Sequence, residues 1–436
     1  MDVIQNSLAL FQPPFLENSI QKEYWVEYNP MATISEQSVI EFNIPGTSMD
    51  YIDLRKSKLS FEFRLLKPDG TPIVYELGDD AKPTNNCDQV GPINFPLNTF
   101  FRQIDVSLNQ KIVSPDVGVN HGYKTIIDML LESSSDMINS QAQAGLFYKD
   151  TAGEMNDSAY LGVNRGFLER AKFSRYGNVG RIEGPIYNDF MINQKRLLLN
   201  GVAVNIKLFQ ASNSFRLMSP SDKNYRVVIT NAIFKVCQVG INPNMILAHD
   251  QALAKTPAIY PFWKSDIKSF TVATGSQTFM IDNIYHGNVP SKIIIGMVSN
   301  AAYSGNITLN PFNFLHKNVN YIEVSVDGNP VPHRPLKPNF IGEDYLPSYL
   351  SLMDSDYTSK KGVIISAEEY PSGYSLFLFD LQSYLSQDIM TNINRGHVRL
   401  NLRFDKALDE PINILVYAKF PDIVTIDQSR QVVLRD

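Results

Sequence analysis

QIDVSLNQKIVSP (residues 103–115) and YIEVSVDGNPVP (residues 321–332) decide how the whole chain is read. In the first, Ile104, Val106 and Leu108 alternate with Asp105 and Ser107; in the second, Ile322, Val324 and Val326 alternate with Glu323 and Ser325. A period of two sends successive side chains to opposite faces of an extended backbone. Each segment therefore predicts a β-strand with one apolar face and one wet or interface-facing face. Leu59, Phe61, Phe63 and Leu65 follow the same pattern, as do Val202, Val204, Ile206 and Leu208, and Val398, Leu400, Leu402 and Phe404. Helical spacing is scarce. The best case is Tyr123 to Ile138, where Ile126, Ile127, Leu130 and Leu131 share a face, and a second, Tyr345 to Met353, is interrupted by Pro347. Mostly antiparallel strands with few helices imply sandwiches or barrels.

The two opening segments belong to an internal repeat. Ser57-Lys58-Leu59 opens a strand as Ser291-Lys292-Ile293 does, GVAVNIKLF from Gly201 matches GHVRLNLRF from Gly396, and Ala232-Ile233-Phe234 matches Ala418-Lys419-Phe420. The order is the same in both halves, and a helix candidate follows the second match each time. The first copy is longer in every interval, most of all between Ile104 and Gly201. There, Gln141 to Gly184 reads as a long surface loop, the usual place for insertions.

Composition agrees with a pair of large packed units. At 436 residues the chain exceeds the usual single domain, which predicts two of about 200 residues each. Hydrophobic residues at 44% and charged ones at 19% exclude global disorder. The net charge of −6 gives no reason for direct nucleic-acid binding, which needs clustered cations to release counterions. Arg55-Lys56-Ser57-Lys58 and Lys360-Lys361 are short and read as a solvated strand edge or loop. Cys87 and Cys237 are too few for a disulfide-built fold and read as unpaired thiols. The start, MDVIQNSLALFQPP, lacks the basic n-region of a secretory signal. The longest strongly apolar stretch, Ile293 to Val298, is far short of the roughly 20 residues that span a bilayer. The expectation is a soluble, non-secreted chain with no transmembrane segment.

The chain resembles the double jelly-roll capsid lineage, and more closely the major capsid proteins (hexons) of Polinton/Maverick elements and the related adintoviruses. The residues carrying this are LENSIQKEYWVEYNP (16–30), IEFNIPGTSMDYIDLRKSKLSFEFRL (40–65), NTFFRQIDVSLNQ (98–110) and PFNFLHKNVNYIEVSVDGNPVP (311–332). The resemblance covers nearly the whole chain and is one of pattern and layout, because no short signature defines the family. It implies an all-β fold of two tandem antiparallel jelly-roll β-sandwiches with a few short helices. The expected limits are an N-terminal arm at 1–36, a first jelly roll at 37–240, a linker at 241–262, a second jelly roll at 263–430 and a C-terminal tail at 431–436. It further implies a homotrimer tiling an icosahedral shell around double-stranded DNA, with neighbouring capsomers and penton or minor capsid proteins as partners. The place implied is the virion capsid, assembled in the host nucleus or cytoplasm.

No residue is expected to be catalytic, cofactor-binding or metal-binding. His121, His249, His286, His316, His333 and His397 are scattered without ligand spacing. Asp354-Ser355-Asp356 lacks the glycine and terminal glutamate of a calcium loop. Gly177, Gly180 and Gly184 have the wrong spacing to cradle a phosphate. The rival readings are a tandem jelly-roll carbohydrate-active enzyme or lectin, which would need paired carboxylates assembled by the fold, and a minor vertex capsid protein. The two-copy layout disfavours the second.

Overall fold

A computed structural model describes residues 18–36, 38–46, 49–76, 84, 87–113, 120–331, 334–353, 362–381 and 394–434. Eight strands of the first half are β1 (Ile20–Tyr28), β2 (Val39–Ile44), β3 (Tyr51–Leu66), β4 (Phe101–Leu108), β5 (Lys111–Ile112), β6 (Gly180–Gly184), β7 (Val204–Gln210) and β8 (Arg226–Ile241). Eight of the second half are β9 (Ala258–Val272), β10 (Thr278–Asn288), β11 (Lys292–Ser299), β12 (Val319–Val326), β13 (Asn329–Pro330), β14 (Leu376–Asp380), β15 (Arg395–Phe404) and β16 (Ile412–Ile426). The sheets run β1-β8-β3-β6 and β2-β7-β4-β5, then β9-β16-β11-β14 and β10-β15-β12-β13. Every named pairing is antiparallel. This 1-8-3-6 and 2-7-4-5 order, present twice, is the jelly roll. The all-β double jelly roll that the sequence predicts is the fold the chain adopts.

The alternating residues close each sandwich. In the first roll Phe42 of β2 meets Phe234 of β8 with ring centroids 5.8 Å apart, and Phe61 of β3 meets Phe101 of β4 at 5.7 Å. Leu59, Phe63, Val106, Ile206 and Leu208 are fully buried between the sheets. In the second roll Phe270 of β9 meets Phe279 of β10, and Ile293, Ile322, Leu400 and Leu402 fill the same position.

Strand pairing corrects two of the sequence matches. Ile104 faces Leu208 and Ile322 faces Leu402, so Leu208 corresponds to Leu402. Setting Gly201 on Gly396 is therefore one residue out, a slip that would exchange inward and outward side chains. Lys58 faces Lys235 and Lys292 faces Lys419, so Lys235 corresponds to Lys419, two residues from the Ala232/Ala418 match. A slip of two keeps the faces.

The expected limits of the units need correction as well. Residues 20–28, read as part of an arm without a strand period, form β1, paired with β8 from Ile20↔Ile241 to Tyr28↔Phe234. As an edge strand it has six of nine residues exposed and none buried, so it shows no apolar alternation. The arm's residues 1–17 lie outside the described residues. The tail is a strand too, Val432–Leu434, paired with β16. Within 241–262 lies helix Pro243–Leu253, with Pro243 in its first turn, where the missing N–H costs nothing.

Candidate assembly surface

Three further helices matter here: α1 (His121–Glu132), α2 (Arg165–Ala171) and α3 (Asp189–Ile192). The predicted helix Tyr123 to Ile138 stops at Glu132, because Ser134 is extended and its hydroxyl accepts from the Met137 N–H, starting a separate turn. His121 through Leu130 are all buried, since α1 lies between its own roll and the second one.

The contact between the rolls is polar at its centre. Lys124 and Asp128, one turn apart on α1, are 3.2 Å from each other, and Lys124 is 2.9 Å from Asp189 of α3. From the second roll, Lys419 of β16 lies 3.0 Å from Asp128 and also pairs with Glu132, while the Tyr417 hydroxyl donates to Asp128 at 2.6 Å. Burial by itself would raise the Asp128 carboxyl, but the Lys419 and Lys124 ammoniums and the Tyr417 hydroxyl outweigh it and hold the group at about 2. Burial would lower Lys419, yet Asp128 and Glu132 hold it above the usual lysine range. Asp189 also accepts from the backbone N–H and hydroxyl of Ser265 on β9, at 2.7 Å each. Phe190 packs edge-on against Phe262, ring centroids 5.4 Å apart.

A second contact uses the stretch Gln141 to Gly184, expected to be a surface loop. It holds α2 and β6, and about a third of its residues are buried. Arg170 of α2 is fully buried and pairs with Asp150 at 2.8 Å, with its other donors on the Pro92 and Tyr148 carbonyls. Asp150 reaches the second roll: Asn310 donates to its carboxylate at 3.0 Å and the Tyr374 hydroxyl to its carbonyl at 2.6 Å. Lys149 pairs with Glu369. The polar composition of this stretch points to a loop, but Arg170 and Asp150 within it are hydrogen-bonded in a buried contact rather than hydrated. Gly180 and Gly184 lie in or at the end of β6, where a Cβ would come within 2.6 Å of the Phe63 ring and 2.8 Å of Leu97; they serve close packing.

Among the described residues the fold disperses the histidines with one exception. His286 and His397, opposite each other on β10 and β15, have Nδ1 atoms 3.0 Å apart on an exposed face. His121 is buried in α1, the His249 Nδ1 lies 2.8 Å from the Tyr51 hydroxyl, and His316 stacks under Phe340. Among the described residues no cluster of three or more His, Cys, Asp or Glu side chains is placed to hold a metal ion. His333 and Asp354 to Asp356 lie outside them. Cys87 and Cys237 are free and buried. An open cleft of about 450 Å³ beside His316 is lined by Lys317, Asn318 and Gly373, but Lys317 is already paired with Asp409 and Glu410. Among the described residues no helix is long and apolar enough to cross a membrane.

The fold that carries these sheet faces and contacts between rolls is a double jelly roll. Solved structures share that fold over nearly the full chain. A chain in the cryo-EM structure of the Sputnik virophage superposes with a TM-score of 0.65 at 12% identity, covering 100% of this chain and 92% of its own. The major capsid protein of Faustovirus does so with a TM-score of 0.62 at 7% identity, covering 96% and 93%. That of mavirus gives 0.58 at 12% identity, covering 100% and 95%. In sequence, an uncharacterized protein of Caenorhabditis elegans is 22% identical over 433 residues, spanning 97% of this chain and 99% of its own length. No family model matches the chain.

Proposed function

We propose that this chain is the major capsid protein of a double-stranded DNA virus or virus-like mobile element of the Polinton or adintovirus kind, without enzymatic activity. In this role it forms homotrimers that tile an icosahedral shell, meeting neighbouring capsomers and penton or minor capsid proteins. The carrying observation is the repetition of one strand order in both rolls of a single chain. Two similar lobes per chain and three chains per particle give six lobes, and six similar lobes fill a hexagonal lattice. The capsid proteins that share the fold support the reading. The net charge of −6 suits a shell that does not condense its genome by charge.

Light scattering and negative-stain microscopy of the purified chain test this. The expected result is a three-chain particle with a hexagonal outline that survives dilution. A stable single chain would overturn it.

A further inference from the structure

Two histidines meet on the outer face of the second roll. His286 of β10 and His397 of β15 are 111 residues apart in the chain and directly opposite each other in the ladder, where the buried neighbours Tyr285 and Val398 fix the register. Their ring centroids are 4.6 Å apart with the planes 31° from parallel, while the two Nδ1 atoms approach to 3.0 Å. The rings thus splay so that their Nδ1 edges converge. Asn283 adds a third donor, its Oδ1 lying 3.3 Å from His397 Nδ1. This asparagine falls in the break of the ladder between Ile281 and Tyr285, and such a bulge re-aims a side chain. All three residues are exposed.

Two neutral imidazoles that meet Nδ1 to Nδ1 share one proton, and two protonated ones repel. With Asn283 Oδ1 as a second acceptor, His397 supplies that proton and His286 Nδ1 accepts it. A metal ion can replace it, because His397 then carries its hydrogen on Nε2 and both Nδ1 lone pairs face the ion. The spacing fits this exchange. Two donors about 2.0 Å from one metal lie about 2.8 Å apart at a right angle and about 3.3 Å apart at the tetrahedral angle. The observed separations of 3.0 and 3.3 Å fall in that interval.

The first roll shows that the backbone does not require these side chains. There the Asn109 N–H donates to the Ala203 carbonyl at 2.9 Å and Asn109 Oδ1 accepts from the Ala203 N–H at 2.8 Å; Asp327 makes the same clamp on His397, at 3.0 and 2.9 Å. The second roll keeps the clamp but carries an imidazole for a methyl group and a carboxylate for an amide. Strand β2 ends at Ile44, opposite Val204 and one residue short of Ala203, and it pairs without a break. The approach of Asp327 depends on Gly396, where a Cβ would stand 2.6 Å from Asp327 Oδ2. Arg395 and Arg399 flank His397 on β15, Asp282 lies 3.1 Å from Arg399, and Asp327 holds the His397 backbone. These four charged side chains cancel, so an arriving cation meets no net repulsion from them.

We infer that His286, His397 and Asn283 form a binding site for a divalent transition metal ion of the copper, nickel and zinc kind, with water in its remaining positions. Imidazole donors suit these ions, whereas magnesium and calcium take oxygen ligands, and near-right-angle spacing with open positions suits Cu(II) best. Strand β10 is the edge of its sheet and its ladder is broken beside the site, so the bound ion pins β10 to β15. The site lies within one chain and is independent of how chains associate.

Cu(II) added alone, at one equivalent, to the full chain made without an affinity tag tests the site. The expected result is one bound ion, a paramagnetic resonance spectrum split by two imidazole nitrogens, and a raised melting temperature, since an ion that binds the folded chain stabilises it. His286→Asn and His397→Asn should each weaken binding at least tenfold and abolish the two-nitrogen pattern. Both side chains are exposed, so the melting temperature of the metal-free variants should match that of the native chain. His249→Asn, which changes a histidine 2.8 Å from the Tyr51 hydroxyl, should leave copper binding as it is. Copper held equally well by a chain lacking both His286 and His397, a single-nitrogen spectrum from the native chain, or no copper bound at one equivalent would each overturn the site.

Discussion

Replacing Asp128 by asparagine isolates the charge cluster that joins the two rolls. In the folded chain its carboxyl is held at about 2 against an ordinary 3.8. A difference of nearly two pH units corresponds to about 2–3 kcal/mol of stability. The folded value is the lower one, so this contribution is complete at neutral pH and fades as pH falls from about 4 through about 2. Asp128→Asn removes it and leaves Lys419 and Lys124 with Glu132 and Asp189 alone. Cutting one partner out of a buried ion pair costs about 3–5 kcal/mol, and the two remaining carboxylates place this case at the lower end, about 3 kcal/mol. The asparagine carbonyl still accepts from Tyr417, so shape and hydrogen bonding are largely kept. Urea unfolding at pH 7 should show that deficit, and the gap between variant and native chain should close as the pH is lowered below 4. A deficit under about 0.5 kcal/mol, the range of ordinary surface substitutions, or one that does not vary with pH, would refute the assignment of the cluster as a structural joint.

Three other outcomes follow from the same contacts. Arg170→Met strands the buried Asp150 carboxylate and should cost about 3 kcal/mol or more; calorimetry showing an unshifted melting temperature would contradict the clamp between rolls. Deleting residues 1–17 should leave the thermal transition in place, whereas deleting 1–30 removes β1 from its ladder with β8 and should yield a destabilised or insoluble chain; a soluble, equally stable 1–30 deletion would show β1 to be dispensable. Burial pushes the Cys237 thiol up to about 12 and also raises Cys87, so neither should react with a disulfide reagent at pH 8 until the chain is unfolded; prompt labelling of the native chain would count against the described packing.

What is legible in the sequence is the part of the fold whose burial is one-sided. Leu59, Phe61 and Phe63 alternate with Ser60 and Glu62 because one face of β3 meets the core and the other meets water, and that contrast is visible in a linear pattern. The contact between the rolls is not legible, for the opposite reason. Asp128, Lys124, Arg170 and Asp150 are polar residues buried by partners far away in the chain, and composition assigns such residues to the surface. Edge strand β1 escapes because six of its nine residues are exposed and none is buried, so neither face is marked as apolar.

The run Ile293 to Val298 is too short to span a membrane, yet it carries a sharper message. An antiparallel strand with an open face cannot be apolar at every position without exposing a hydrophobic ridge. Its equivalent in the first roll, Leu59 to Arg64, alternates. Two strands at the same place in duplicated sheets, one continuous and one alternating, imply that one sheet is covered within the chain and the other is not. That difference in pattern orders the rolls by itself: the roll with the continuous strand receives the cover, and the roll with the alternating strand supplies it. It also bounds any contact that the proposed trimer makes through the open face. With Lys58, Glu62 and Arg64 on its surface, that face would dock, in the proposed trimer, through charge and a few apolar anchors such as Trp25. Association should therefore weaken as salt is raised, because exposed charge pairs are screened within about 10 Å at 0.1 M. A trimer whose dissociation is indifferent to salt would place its contact on another, more apolar face.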